Sequence, residues 1–269
     1  MLRLPAVSGR FYPSDPAELE QVVRRFFKTE LVAPLVQAKA CLVPHAGYIY
    51  SGHVTGAVLD KIQFPKKVIV LGVRHRPPGA AAAIVCDGAW RTPLGEVPID
   101  TLLAADLMKA CSIFQEDELA HSAEHSLEVQ LPFLQLLAPG FSFAPIALGT
   151  IHFDSLVHIG EAIGRVIHSM SEKVLLVATS DLNHYEDDST TRAKDRMAIE
   201  KLLALDPRGL YEVCLKADIS MCGLGPAIAM LTAIKVLGGR KAELVKYATS
   251  ADVSGDYEAV VGYAGMIFG

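Results

Sequence analysis

The stretch KVLLVATSDLNHYE, residues 173–186, decides how this chain folds. Through Thr179 it is a continuous apolar run, which is how a strand buried on both faces reads. It then gives way abruptly to Asp181 and His184. In open α/β sheets ligands bind in the crevice beyond the carboxyl ends of the strands, so a run that ends in ionisable side chains marks both a strand and a candidate site.

Three further runs have the same character: KACLVP (39–44), KKVIVLGV (66–73) and FSFAPIALG (141–149). Between and after them, helical patterns are expected at 16–29, 52–62, 100–111, 124–138, 154–170, 190–205, 207–216 and 223–237. The first has a clear start, since Asp15 can cap it, Pro16 suits the first turn and Glu18 completes a capping-box spacing. AAAIVCDGAWRTPLGEVPID (81–100) reads as a hairpin or irregular excursion, and 241–249 with 258–268 as two closing strands. This alternation predicts an α/β fold in a single domain over 1–269, with a central mixed, mostly parallel sheet and helices on both faces.

Composition narrows the functional classes. Hydrophobic residues make up 51% and charged residues 20% of the chain, without an uninterrupted apolar stretch long enough to span a bilayer, so no membrane span is expected. The first residues lack the apolar core of a signal peptide, which leads to the expectation of a cytoplasmic protein. The net charge of −5 comes from interspersed acids and bases, and with no basic stripe a nucleic-acid partner is not expected. The cysteines, Cys41, Cys86, Cys111, Cys214 and Cys222, are odd in number and widely spaced, which fits reduced thiols better than a disulfide framework.

The strand ends collect imidazoles. His45 follows one run in VPHAGYIYSGH, His75 another in GVRHRPPG, and His184, with Asp181, a third. Imidazole is the commonest protein metal ligand and the usual general base near neutral pH, so the convergence supports either chemistry. Taken singly, each histidine has an ordinary reading as a hydrogen-bonded structural residue. Cys222, in ADISMCGLGPAIAML (217–231), stands at the entry to an expected helix, where free amides and the macrodipole favour thiolate. The other four cysteines lie inside strand or helix patterns and read as small hydrophobes.

A competing motif lies in AHSAEHSLEVQLPFL (120–134), where His121, Glu124 and His125 spell H-x-x-E-H. On a helix the two histidines would share a face, as in inverted zinc metallopeptidases. A third ligand is missing, so a role in lining the same cleft is the preferred expectation for these three residues.

The motifs VPHAGYIYSG, LGVRH, AHSAEHSLEVQLPFLQ, TSDLNHYE and SMCGLGPAIAML, in this order, resemble the Memo-like family, whose prokaryotic members are also called AmmeMemoRadiSam system protein B. The likeness runs from AVSGRFYPSDPAELE to VGYAGMIF. It implies a fold like that of class III extradiol ring-cleaving dioxygenases, which hold non-haem iron through two histidines and a carboxylate. Carried onto this chain, the resemblance implies metal ligands His45, His75 and Cys222, with His184 as acid/base and Asp181 beside it; Tyr50, His121, Glu124 and His125 are expected, from their place in the sequence, as further pocket residues. Cysteine in place of the carboxylate leaves Fe(II), copper and zinc all acceptable to the donor set, iron being the leading expectation. The function expected is a metalloprotein with oxidoreductase activity on a small molecule. Two other readings stand beside it: a phosphopeptide-binding or partner-binding module using the same cleft, and a metal-free hydrolase with Cys222 as nucleophile, His184 as base and Asp181 as orienter.

Overall fold

A computed structural model of the chain describes residues 1–27 and 34–269. Its strands are β1 (Leu2–Arg3), β2 (Ala40–Val43), β3 (Lys67–Val73), β4 (Ala82–Ile84), β5 (Ala89–Thr92), β6 (Gly95–Pro98), β7 (Gln115–Glu116), β8 (Ser142–Leu148), β9 (Val174–Thr179), β10 (His184–Glu186), β11 (Ala242–Thr249) and β12 (Val260–Phe268). The helices are α1 (Pro16–Arg25), α2 (Tyr48–Leu59), α3 (Thr101–Ala110), α4 (Leu119–Ser122), α5 (Leu131–Leu137), α6 (Phe153–Ser169), α7 (Asp188–Leu203), α8 (Pro207–Lys216), α9 (Leu224–Val236) and α10 (Ala251–Ser254).

The expected mixed, mainly parallel sheet is present. The order β10-β12-β2-β9-β3-β8-β4-β7, with β11 also on β12, has β2, β9, β3 and β8 parallel at its centre. All four are the apolar runs read from the sequence, and their side chains are almost wholly buried. β12 joins antiparallel to β2, and the 81–100 excursion supplies β4 to the main sheet and β5 and β6 to a small second sheet with β1. No helix among the described residues is long and apolar enough to cross a membrane.

Local chemistry sets most helix starts. Asp15 accepts the Glu18 N–H at the head of α1, with Pro16 in the first turn. Asp100, Asp187 and Asp206 cap α3, α7 and α8 in the same way. The expected helix at 16–29 is observed to Arg25, and residues 28 and 29 lie outside the described ones.

The expectation of one helix over 124–138 is corrected. α4 stops at Ser122, a 3₁₀ turn covers Glu128–Gln130, and α5 begins only at Leu131, with Pro132 in its first turn. The intervening polar side chains are used elsewhere. Ser126 Oγ donates to Val73 O and accepts Val73 N–H at the end of β3, while the Glu124 carboxylate accepts from Ser126 N–H and from His75. Side chains that bond this way offer the backbone an alternative to helix. Gly72 permits the approach, because a Cβ there would run into Leu127 and Ser126 Oγ.

The N-terminal residues are strapped across this region by a fully buried carboxylate. Glu128 accepts from Arg3 Nη1 (2.7 Å), Tyr12 OH (2.6 Å) and the Ala6 and Val7 N–H groups, while the Arg3 guanidinium lies 4.0 Å over the Trp90 ring. Removing one partner leaves the other charge buried and unpaired. Glu128→Ala is therefore expected to lose about 3–5 kcal/mol of stability in urea denaturation.

Candidate metal centre

His45 and His75 each stand two residues past the end of a central strand, β2 and β3, and Asp181 stands two past β9. They line one cavity of about 340 Å³ together with His125, His184 and Tyr185. Three histidines, His45, His75 and His125, converge so that one ligand atom from each lies within 4.8 Å of the others. Their rings pack against one another, with centroids 4.6 to 5.4 Å apart.

Each ring is held from behind. His75 Nδ1 is 2.9 Å from Glu124 Oε1, a carboxylate that only accepts, so Nδ1 carries a hydrogen and Nε2 is the ring nitrogen left to face a ligand. Glu124 Oε2 also accepts the His75 backbone N–H, and Oε1 lies 3.4 Å from His125 Nδ1. Burial would raise the Glu124 carboxyl, but the bonds from His75 and Ser126 outweigh it and hold it well below the usual range. Phe11, carried by the N-terminal strap, packs on the other side of His125 at 4.8 Å between centroids.

His45 is deeper. Its Nδ1 is 3.0 Å from Thr179 Oγ1 and its Nε2 is 3.2 Å from Cys222 Sγ. Cys222 comes from the head of α9, and the close approach depends on Gly223, where a Cβ would collide with Ser180 and Thr179 O. The helix-entry position leads to the expectation of a thiolate, but burial outweighs it and pushes the Cys222 thiol up. A protonated S–H is the donor, so His45 Nε2 accepts it. Burial, reinforced by the neighbouring imidazoles, pushes His45 well below its ordinary 6.5, and burial brings His125 down to about 4. The neutral imidazole is the form that binds metal, so His45 and His125 fit a metal ion, the Cys222 S–H standing in for it at His45 Nε2.

The remaining expected site residues separate. Asp181, buried and raised to about 6 by desolvation, accepts the His45 backbone N–H (2.8 Å) and makes no contact that would orient His184. His184 Nδ1 instead donates to Ser220 O (2.9 Å), and Cys222 Sγ lies against His45. The Cys222–His184–Asp181 relay expected for a hydrolase is therefore not formed. His121 does not share a helix face with His125: its Nε2 faces Ala83 O (3.3 Å), and the ring sits by Trp90 at a different cavity. Glu124 lies behind the histidines rather than on the cavity wall, and Tyr50 is in the first turn of α2, 38% exposed and outside the lining residues.

Phe11 and Tyr185 are among the cavity residues that escape sequence reasoning. Phe11 has no periodicity to mark it as a wall of the site. Tyr185 sits on a bulge between β10 and β12 with φ +62° and is 78% exposed, a conformation that costs a bulky residue energy. Because glycine adopts it freely, Tyr185→Gly should leave stability unchanged or raise it by up to about 1 kcal/mol. A larger loss on thermal denaturation would show that the ring packs rather than projects.

The loop carrying Asp181 and His184 rests on Asp195, a fully buried carboxylate that accepts Asn183 N–H (2.9 Å) and Tyr247 OH (2.7 Å). Desolvation raises it from 3.8 to about 6. A carboxyl raised by folding contributes stability that is fully present below its unfolded pKa and is lost as pH rises through the folded value. Asp195→Asn should abolish that loss, gaining about 3 kcal/mol on the wild type between pH 4 and pH 7 in urea titrations. A pH-independent difference would contradict the assignment.

A family described as Memo-like protein matches residues 3–267. MEMO1 family protein MK0963 of Methanopyrus kandleri is 42% identical, covering 100% of this chain and 99% of its own. MEMO1 family protein MJ0403 of Methanocaldococcus jannaschii is 38% identical, covering 99% and 98%. Among solved structures, the uncharacterized protein JW3007 from Escherichia coli K12 superposes with a TM-score of 0.58 at 10% identity, over 86% of this chain and 100% of that one, a likeness of fold alone.

Proposed function

The chain belongs to the Memo-like protein family, and from that premise we propose that it is a metalloprotein holding iron foremost, with copper or zinc as alternatives, and that with iron or copper it oxidises a small molecule in the adjoining cavity with dioxygen as the electron acceptor. The observation that carries this reading is the convergence of His45, His75 and His125 on one point, with burial favouring the neutral form of His45 and His125. Nitrogen donors of this kind suit iron, copper and zinc alike. The Cys222 thiol is a fourth donor, since it occupies the same His45 nitrogen that a metal would take, and metal binding would release its proton.

When bound, the metal would supply a Lewis acid and, as iron or copper, a one-electron redox centre. The chain's own residues do the rest. Glu124 fixes the ring of His75 and faces that of His125, the carboxylate–histidine arrangement that orients ligands and raises their basicity. His184 presents Nε2 to the cavity to accept a proton from substrate, and Asp181 holds the His45 backbone.

Metal analysis of anaerobically purified protein tests the reading. Wild type should carry a single ion per chain, His75→Ala and His125→Ala should lose it, and Glu124→Gln should bind about 10–100-fold more weakly. Equal metal content in wild type and the double variant His75→Ala/His125→Ala would overturn the proposal, and equal content in wild type and Cys222→Ala would remove the thiol from the site.

A further inference from the structure

Asn183 lies between Leu182 and His184 and is wholly buried. A carboxamide offers two N–H donors and an oxygen with two lone pairs. Here every one is used. Nδ2 donates to Glu186 Oε2 (2.6 Å) and Thr191 Oγ1 (3.3 Å), and Oδ1 accepts both Ser220 N–H and Ser220 Oγ–H at 3.1 Å. The backbone is equally committed, since the Asn183 N–H donates to Asp195 Oδ1 and its carbonyl accepts Gly262 N–H.

Ser220 passes this order to the neighbouring imidazole. Its Oγ accepts His184 N–H (2.8 Å) and its carbonyl accepts from His184 Nδ1 (2.9 Å). A carbonyl oxygen cannot donate, so Nδ1 must carry the hydrogen, and Nε2 of the neutral ring keeps its lone pair; the ring lines the cavity, with the Leu182 carbonyl also beside it. Ser220 also stands two residues before Cys222, whose sulfur touches His45.

We propose that Asn183 and Ser220 form a positioning clamp that fixes His184 as the Nδ1–H tautomer, with its Nε2 lone pair toward the cavity, and ties that ring to the segment bearing Cys222. Neither residue touches the cavity contents. Their effect is transmitted through His184, which would otherwise divide itself between two tautomers and two ring orientations. The clamp rests on the proposed function only in taking this cavity as the place of chemistry.

The test needs no metal and no substrate. In metal-free protein labelled with ¹⁵N-histidine, a long-range ¹H–¹⁵N correlation spectrum above the pKa of the imidazole reads which nitrogen is protonated, with the His184 signals assigned by their loss in His184→Gln. Wild type should show a protonated Nδ1 and a pyridine-like Nε2. Asn183→Ala should shift the tautomer ratio at least about tenfold toward Nε2–H, the equivalent of one hydrogen bond of ordinary strength, with the His45 signals unchanged as evidence of an intact fold. Asn183→Asp, which keeps an acceptor facing Ser220, should retain the wild-type tautomer. An Nε2–H ring in wild type, or an unchanged His184 spectrum in Asn183→Ala, overturns the clamp. The wild-type spectrum decides the tautomer even where a variant does not fold. A protein that fails to bind metal yet shows Nδ1–H at His184 would sink the metal reading and leave the clamp standing.

Discussion

The Glu124 carboxylate is the constraint on which the site depends. It is 5% exposed, and burying an anion is costly unless its lone pairs are filled. Here they are filled by the His75 N–H, the His75 ring and the Ser126 N–H, with His125 beside them. One charged group therefore pins the loop after β3 to the turn that carries His125. Its own backbone carbonyl accepts Arg3 Nη2 at 2.6 Å, which connects the same turn to the N-terminal strap and so to Phe11 on the far side of the His125 ring. Loss of this anion would free two rings at once, because both present Nδ1 to the same oxygen.

The sheet explains why these groups meet. Parallel strands place all their carboxyl ends on one edge, so β2, β3 and β9 deliver His45, His75 and Asp181 to one crevice without any of the three being near another in sequence. Helix α9 packs on the sheet and brings Cys222 to the crevice from its N-terminal end. Burial suppresses protonation of His45 and His125 and keeps the Cys222 thiol protonated, setting neutral groups around a cavity that can take a cation.

Much of this was legible in the residues. Strands buried on both faces announce themselves as continuous apolar runs, and VLLVAT (174–179) and KVIVLGV (67–73) fall where their boundaries in the sequence place them. Helices with a side-chain cap, such as α8 after Asp206, are equally plain. The reading failed where polar side chains answer to distant backbone. Leu127, Leu131 and Leu134 make a helical pattern from residue 124, yet Glu124 and Ser126 spend their bonding on β3, and the helix waits for Leu131. The same fact hid the part His125 plays: it was legible as a cleft residue, but a ring that enters the histidine cluster from a turn has no periodicity to mark it as a member. Cys222 and His45 were visible as candidates, but that their contact is sulfur to Nε2, and that burial keeps the thiol protonated, depend on three-dimensional packing. His184 was legible as an acid/base candidate, while the partner that orients it is Ser220 rather than Asp181, a carbonyl that carries no signature in sequence.

The central claim is that His45, His75 and His125 share one metal ion. Anomalous diffraction from crystals of the metal-loaded protein, collected on either side of the iron, copper and zinc edges, tests it most directly. The account predicts one peak at about 2.0–2.3 Å from a nitrogen of each of the three rings, with Glu124 unligated behind them. A peak that leaves out two of the three histidines, or density for a metal elsewhere with the cluster empty, would contradict it.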